Sequence, residues 1–124
     1  MTQERITLGK YGEDLAGKRL KDLGYKIVTT NYTCKLGEID LIAKDRDVLV
    51  FVEVKTRRNS PLGQVKDAVN IRKQRQISKA ALYYMQSKNL TATGIKARFD
   101  VAAVSLIDGK KEIEIIKNAF ELAY

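Results

Sequence analysis

Between Thr7 and Leu23 the apolar residues Leu8, Leu15, Ala16, Leu20 and Leu23 fall at helical intervals, and Gly24 stands where helices commonly stop. This predicts a first helix. Three runs rich in β-branched and aromatic residues follow, Tyr25 to Tyr32, Gly37 to Lys44 and Val48 to Arg57, and predict three consecutive strands. The segment Val48-Leu49-Val50-Phe51-Val52 is apolar without interruption. A solvent-facing strand alternates, so this one is expected at the centre of a sheet with helices over both faces. Asn59 to Gly63 reads as a loop. A second helix is expected from about Asn70 to Lys88, capped by Asn70, with Ile77, Ala80, Ala81, Tyr84 and Met85 on its inner face. Arg98 to Leu106 reads as a strand, Asp108-Gly109 as a turn, and Glu112 to Ile116 as a last strand. The predicted class is α/β, a mixed sheet flanked by helices in the order α-β-β-β-α-β-β, forming a single domain over residues 1–124.

Charged residues break this pattern in one place. Gly37-Glu38-Ile39-Asp40-Leu41-Ile42 and Phe51-Val52-Glu53-Val54-Lys55 carry two charges each within strands that otherwise read as buried. Side chains two apart share a strand face, so each strand presents a pair. A hairpin loop of two or four residues centred on Arg46-Asp47 sets Asp40 opposite Glu53 and Glu38 opposite Lys55. Two facing carboxylates repel unless one is protonated or a cation lies between them. A divalent metal resolves the conflict, and hard oxygen ligands suit Mg²⁺ or Mn²⁺. With Lys55 as a further cation, such a site has the parts for phosphodiester hydrolysis. The competing reading is a structural hairpin in which Glu38 and Lys55 form a cross-strand ion pair.

Glu13 shares a helical stripe with Ala16, Gly17 and Leu20, which turns it toward the body of the protein as a further ligand or base, or else leaves it paired with a surface lysine. Lys73, one turn before Ile77, is placed to reach a phosphate. Arg72, Arg75 and Lys79 form a separate basic stripe, and together with Arg57 and Arg58 they are the expected nucleic-acid-binding residues, or simply a solvated face. Gly12 to Lys18 spells most of a phosphate-binding loop, but Arg19 replaces the required Ser or Thr and no strand precedes it, so that reading is rejected.

The totals narrow the chemistry. The 124 residues contain no histidine and one cysteine, Cys34, which excludes a Ser-His-Asp triad, an HExxH site and an internal disulfide. Lys and Arg outnumber Asp and Glu by 23 to 15, a net charge of +8 that favours a polyanionic partner. No apolar stretch approaches membrane-spanning length, and the first residues lack the pattern of a leader. The expectation is a cytoplasmic protein with no membrane partner, and a homodimer is compatible with the sequence.

The acid on one strand followed by Glu53-x-Lys55 on the next resembles the PD-(D/E)xK nuclease superfamily. The runs Gly37 to Ile42, Leu49 to Lys55 and Arg98-Phe99-Asp100-Val101 are more closely similar to the bacterial YraN family of small endonuclease-like proteins, over nearly the whole chain. Within it, Glu13 with Ala16 and Val69 with Lys73 match family positions. The resemblance implies a restriction-endonuclease-like fold, a metal site at Asp40, Glu53 and Glu13 with Lys55 catalytic, and likeness to archaeal Holliday-junction resolvases. The expected function is a metal-dependent nuclease on structured or branched DNA. The alternatives are a non-catalytic nucleic-acid-binding module of the same fold and, more distantly, an adaptor for an acidic protein.

Overall fold

The continuous apolar run lies in the middle of a five-stranded sheet in the computed structural model, which describes residues 3–66 and 69–123, with side chains from residue 7 onward. Met1 and Thr2, read above for a leader, lie outside the described residues. The elements are helix α1 (Gln3–Asp22), strands β1 (Lys26–Cys34), β2 (Gly37–Asp45) and β3 (Val48–Arg58), helices α2 (Leu62–Lys66) and α3 (Ile71–Ser87), and strands β4 (Lys96–Ile107) and β5 (Lys110–Phe120). The strands lie side by side in chain order. All neighbours are antiparallel except β3 and β4, which run parallel from Val48↔Lys96 to Arg58↔Leu106. A parallel pair needs a long crossover, and α2 and α3 supply it.

The predicted mixed α/β sheet with helices on its faces is therefore what forms. In β3, Leu49 and Phe51 pack with Ile77, Ala80, Ala81 and Tyr84 of α3, while Val50 and Val52 pack with Ala16 and Leu20 of α1. Both faces are covered, which is why this strand has no polar alternation. Helix α1 ends as the glycine predicts. Gly24 takes φ +94°, its N–H donates to the Lys21 carbonyl at 2.9 Å, and the Tyr25 N–H donates to the Leu20 carbonyl at 2.9 Å. These are the paired bonds of a Schellman stop. Asn70 caps α3, its side-chain oxygen accepting from the Lys73 N–H at 2.9 Å. The other end of α3 stops the same way as α1 but with Asn89 (φ +57°) in the glycine position.

Several expectations shift. Helix α2 begins inside the predicted loop, at Leu62, and runs past its end to Lys66; its first turn bonds back to the Pro61 carbonyl from the N–H groups of Gln64 and Val65 and buries Val65. Proline's fixed φ suits a helix start, and five residues are too few to show periodicity. Leu23 lies past the stop and is 49% exposed rather than inward. Strand β5 runs past Ile116 because a bulge opposite Phe99 and Val101, with Asn118 at φ +52°, carries the chain on to Phe120, which stacks on Phe99 at 4.9 Å.

One buried charge network went unread in the sequence. Asp100 is 0% exposed and accepts from Tyr25 Oη (3.0 Å), Arg98 Nε (2.9 Å) and the Asn118 N–H (3.0 Å). Arg98 also donates to Asp45 at 2.7 Å, and Lys117 lies 3.6 Å from the same carboxylate. The Arg98 hydrogen bond holds Asp45 below its usual range. Burial, then Asp100, pushes the Tyr25 phenol up to about 12. Removing the cation leaves a buried carboxylate uncompensated. Arg98→Met is expected to destabilise the fold by about 3 kcal/mol in urea melts, and a loss below about 0.5 kcal/mol would show the network to be ornamental.

Candidate active site

The turn between β2 and β3 is two residues long, Arg46-Asp47, with Arg46 at φ +58° and Asp45 paired to Val48. This is the even-length loop on which the expected register depends. Pairing runs from Asp45↔Val48 to Leu41↔Val52 and stops there, one step short of Asp40 and Glu53. At that step the Asp40 side chain takes over from the ladder: the Val54 N–H donates to its Oδ2 at 2.8 Å. Strand β2 also turns over here, since Leu41 packs with the α1 cluster and Ile39, two residues away, with the α3 cluster. Asp40 thus stands at a fork, between the two faces of the sheet.

The carboxyl of Asp40 acts on both Glu53 and Glu13, raising each. Glu53 projects from β3 toward α3 and is only 4% exposed. Burial first, and then the Asp40 carboxylate, push its carboxyl up to about 8 from an ordinary 4.5. Two lysines partly offset this, Lys55 and Lys73, each with Nζ 3.7 Å from Glu53 Oε2. Those separations exceed a normal hydrogen bond. Glu13 comes from the opposite side, on α1, and burial followed by Asp40 pushes it up to about 7.

What brings Glu13 there is its neighbour. Gly12 is buried, and a Cβ added to it would overlap Thr56 Oγ1 and come within 2.8 Å of Thr56 Cβ on β3. Only glycine lets the helix sit this close. The sequence stripe found Glu13 but not this contact, whose signal was a small residue four positions before Ala16. The same stretch is continuous helix, as expected when the phosphate-loop reading was set aside.

The Glu38–Lys55 ion pair does not form. Glu38 is exposed, and Lys55 pairs with Glu53 instead. Two clefts meet at Lys55. One, of about 920 Å³, is lined by Glu13, Glu38, Asp40 and Lys55 and rimmed by Arg57 and Arg58. The other, of about 570 Å³, holds Lys55, Lys73, Arg72, Arg75 and Lys79. All the sequence-predicted site residues therefore line one cleft or the other, except Glu53, which is buried between them.

The donor set suits a hard cation. Three carboxylates stand in a row with Asp40 in the middle, and their repulsion is only partly relieved. Among the described residues, no three acidic, cysteine or histidine side chains converge closely enough to cage an ion by themselves. Any ion held here would therefore take no more than one or two of these carboxylates and complete its shell from water or another ligand, as Mg²⁺ and Mn²⁺ do.

The fold and this cluster define a basic α/β protein with a carboxylate–lysine site at the fork of its central strands. A family model described as uncharacterised protein family UPF0102 matches residues 12–104, a span that includes Glu13, Asp40, Glu53, Lys55 and Lys73, and the chain belongs to that family. This agrees with the YraN resemblance. A UPF0102 protein of Syntrophus aciditrophicus (strain SB) is 52% identical over 124 residues, covering 100% of this chain and 95% of the relative. One from Geobacter sulfurreducens is 49% identical over 118 residues, covering 94% and 91%, and one from Clostridium botulinum is 43% identical over 117 residues, covering 93% and 94%.

Two outcomes follow. Gly12→Ala is expected to cost about 1–3 kcal/mol by forcing α1 off β3, read by thermal melts, and an unchanged melt would dissociate Glu13 from this close contact. Glu53 and Glu13 bind protons more tightly folded than unfolded. Their contribution to stability is therefore full below pH 4.5 and is lost as pH rises through about 7 and 8. In EDTA the melting temperature should fall between pH 5.5 and pH 8.5, and Glu53→Gln should recover about 2 kcal/mol at the alkaline end. A wild-type profile flat across that window would refute the crowding of these carboxyls.

Proposed function

We propose that this protein is a metal-dependent nuclease that hydrolyses phosphodiester bonds of nucleic acid, with structured or branched DNA as the substrate class its resemblance to junction resolvases favours. The observation that carries the reading is the forced approach of Asp40 to a buried Glu53 beside two lysines. A carboxylate held near its neighbour at such cost is relieved by a retained proton or by a cation, and the clefts on either side, of about 920 and 570 Å³, leave the site open to a cation and a phosphate.

Asp40 and Glu53 would hold Mg²⁺ or Mn²⁺, with Glu13 at the edge of the site. When bound, the ion would supply Lewis-acid stabilisation of charge on the phosphate and lower the pKa of water. Lys55, at the junction of both clefts, neutralises charge building on the phosphate oxygens and orients the attacking water. Lys73 keeps Glu53 in place before substrate arrives and is free to turn to a phosphate afterwards. Glu13, with its carboxyl near neutrality, is suited to exchange a proton with water or with the leaving oxygen. Arg57 and Arg58 on one rim and Arg72, Arg75 and Lys79 on the other hold the flanking phosphates without reading sequence.

One arrangement favours a second reading, a binding module without chemistry: Lys55 and Lys73 already bracket Glu53, as they would in a merely structural ion-pair set. Incubating the purified protein with single-stranded, duplex and four-way-junction DNA, and with RNA, in Mg²⁺, Mn²⁺ or EDTA separates the two. Cleavage that needs the metal and falls by about 10²-fold or more in Lys55→Ala and Glu53→Gln is expected. Absence of metal-dependent cleavage on every substrate would sink the enzymatic reading, and cleavage surviving both substitutions would move the site elsewhere.

A further inference from the structure

The turn between β1 and β2 carries a feature that catalysis does not use. Cys34 pairs with Gly37, which leaves Lys35 and Leu36 at the tip. Leu36 is 42% exposed, yet it lines the same cleft as the cations Lys55, Arg72, Lys73, Arg75 and Lys79. The tip is seated rather than free. Gly37 takes φ +150° with its Cα so close to α3 that an added Cβ would lie 2.7 Å from Gln76 Cγ, and Lys35 Nζ stands 5.6 Å from the centre of the Tyr83 ring.

An exposed leucine fixed among five cations, in a cleft lined by no carboxylate, matches a ligand that is anionic along one edge and apolar along another. Among the described residues Arg72, Arg75 and Lys79 have no ion-pair partner, so they are available to such a ligand. A nucleic-acid strand has this make-up, with phosphates on one side and bases on the other. Lys55 lines both this cleft and the carboxylate cleft, so a strand laid along the cationic cleft from a phosphate at Lys55 would meet Leu36. In a continuous duplex the base faces are covered by stacking, and a leucine reaches one only by opening a step, at the cost of unstacking it. At a junction, fork or single-stranded end they are open.

We propose that Leu36 packs against an unstacked base next to the bound phosphate, making the tip of the first hairpin the element that selects nucleic acid with interrupted stacking. The proposal rests on the nuclease reading for the position of the phosphate at Lys55. It concerns binding, so it can be tested without cleavage. Fluorescence anisotropy in EDTA at two salt concentrations would compare a four-way junction, a single strand and a blunt duplex of the same sequence, using wild type, Leu36→Ser, Leu36→Phe and Arg75→Ala. Leu36→Ser should weaken junction and single-strand binding about tenfold, leave duplex binding within about twofold, and keep the salt slope, since no charge is lost. Leu36→Phe should retain the preference. Arg75→Ala should weaken all three substrates and lower the salt slope by about one. A 2-aminopurine at the branch should brighten with wild type and not with Leu36→Ser. Equal loss on all substrates, or none, with Leu36→Ser overturns the proposal. So does wild-type protein that binds no nucleic acid, including the case in which it binds anionic vesicles instead. Leu36-dependent junction binding without any cleavage in Mg²⁺ supports it while removing the catalytic reading.

Discussion

In a strand buried on both faces a charge must find its partners from neighbouring strands, and here the place where the β2–β3 ladder gives out decides which acids come together. Through Leu49 to Val52, β3 is enclosed by α1 on one side and α3 on the other. One residue later it carries Glu53, at the step where β2 stops pairing and Asp40 offers its carboxylate to the Val54 N–H instead. The backbone donor is satisfied, and the strands are free to part. The fork is therefore a structural device that also brings a second acid next to Glu53. Shifting the hairpin by one residue would send Asp40 and Glu53 to opposite faces and remove the encounter.

The two buried acids of the central strands are satisfied to very different degrees. Asp100 on β4 is enclosed by a phenol, a guanidinium and a backbone N–H, all at normal hydrogen-bond distances, and its neighbours Arg98 and Lys117 balance Asp45 as well. Nothing further is needed there. Glu53 has no such shell. Its lysines stand 3.7 Å away, while Asp40, and Glu13 behind it, add negative charge. Two lysines face three acids, and the crowding is eased by the protons that Glu53 and Glu13 retain toward neutral pH. The same comparison explains the opposite pKa directions, with Asp45 held low by its arginine and Glu53 and Glu13 raised by burial and by one another.

These two networks also mark what the sequence could and could not disclose. Asp40, Glu53 and Lys55 were legible because strand periodicity and a two-residue turn are local properties, and together they determine which side chains meet. Glu13 was half legible: periodicity turns it inward, but how near it comes depends on Gly12 meeting Thr56, a contact across 44 residues that no helical pattern encodes. Asp100 was less legible still, because its partner Tyr25 lies 75 residues away and its role exists only once β4 and the end of α1 are side by side. Helix α2 escaped because a single turn has no period. Leu36 escaped because an apolar residue in a turn says nothing until its neighbours in space prove to be cations.

Charge and hydrophobicity together decide how a ligand would cross this surface. A net charge of +8 would attract any polyanion, but it is not spread evenly around the site. The cleft on the α1 side mixes Glu13, Glu38 and Asp40 with Arg57 and Arg58, whereas the cleft on the α3 side is cationic with Leu36 at its edge. A phosphate chain attracted to this surface would lie on the second side and meet the carboxylates only at the boundary, where Lys55 stands. On the proposed nuclease reading, repulsion from Glu38 and Asp40 would oppose deeper entry of a phosphate until a cation is present, so that metal and strand would each reduce the charge the other must face. Binding of either would then favour the other, with Lys55, the residue common to both clefts, as the point of coupling.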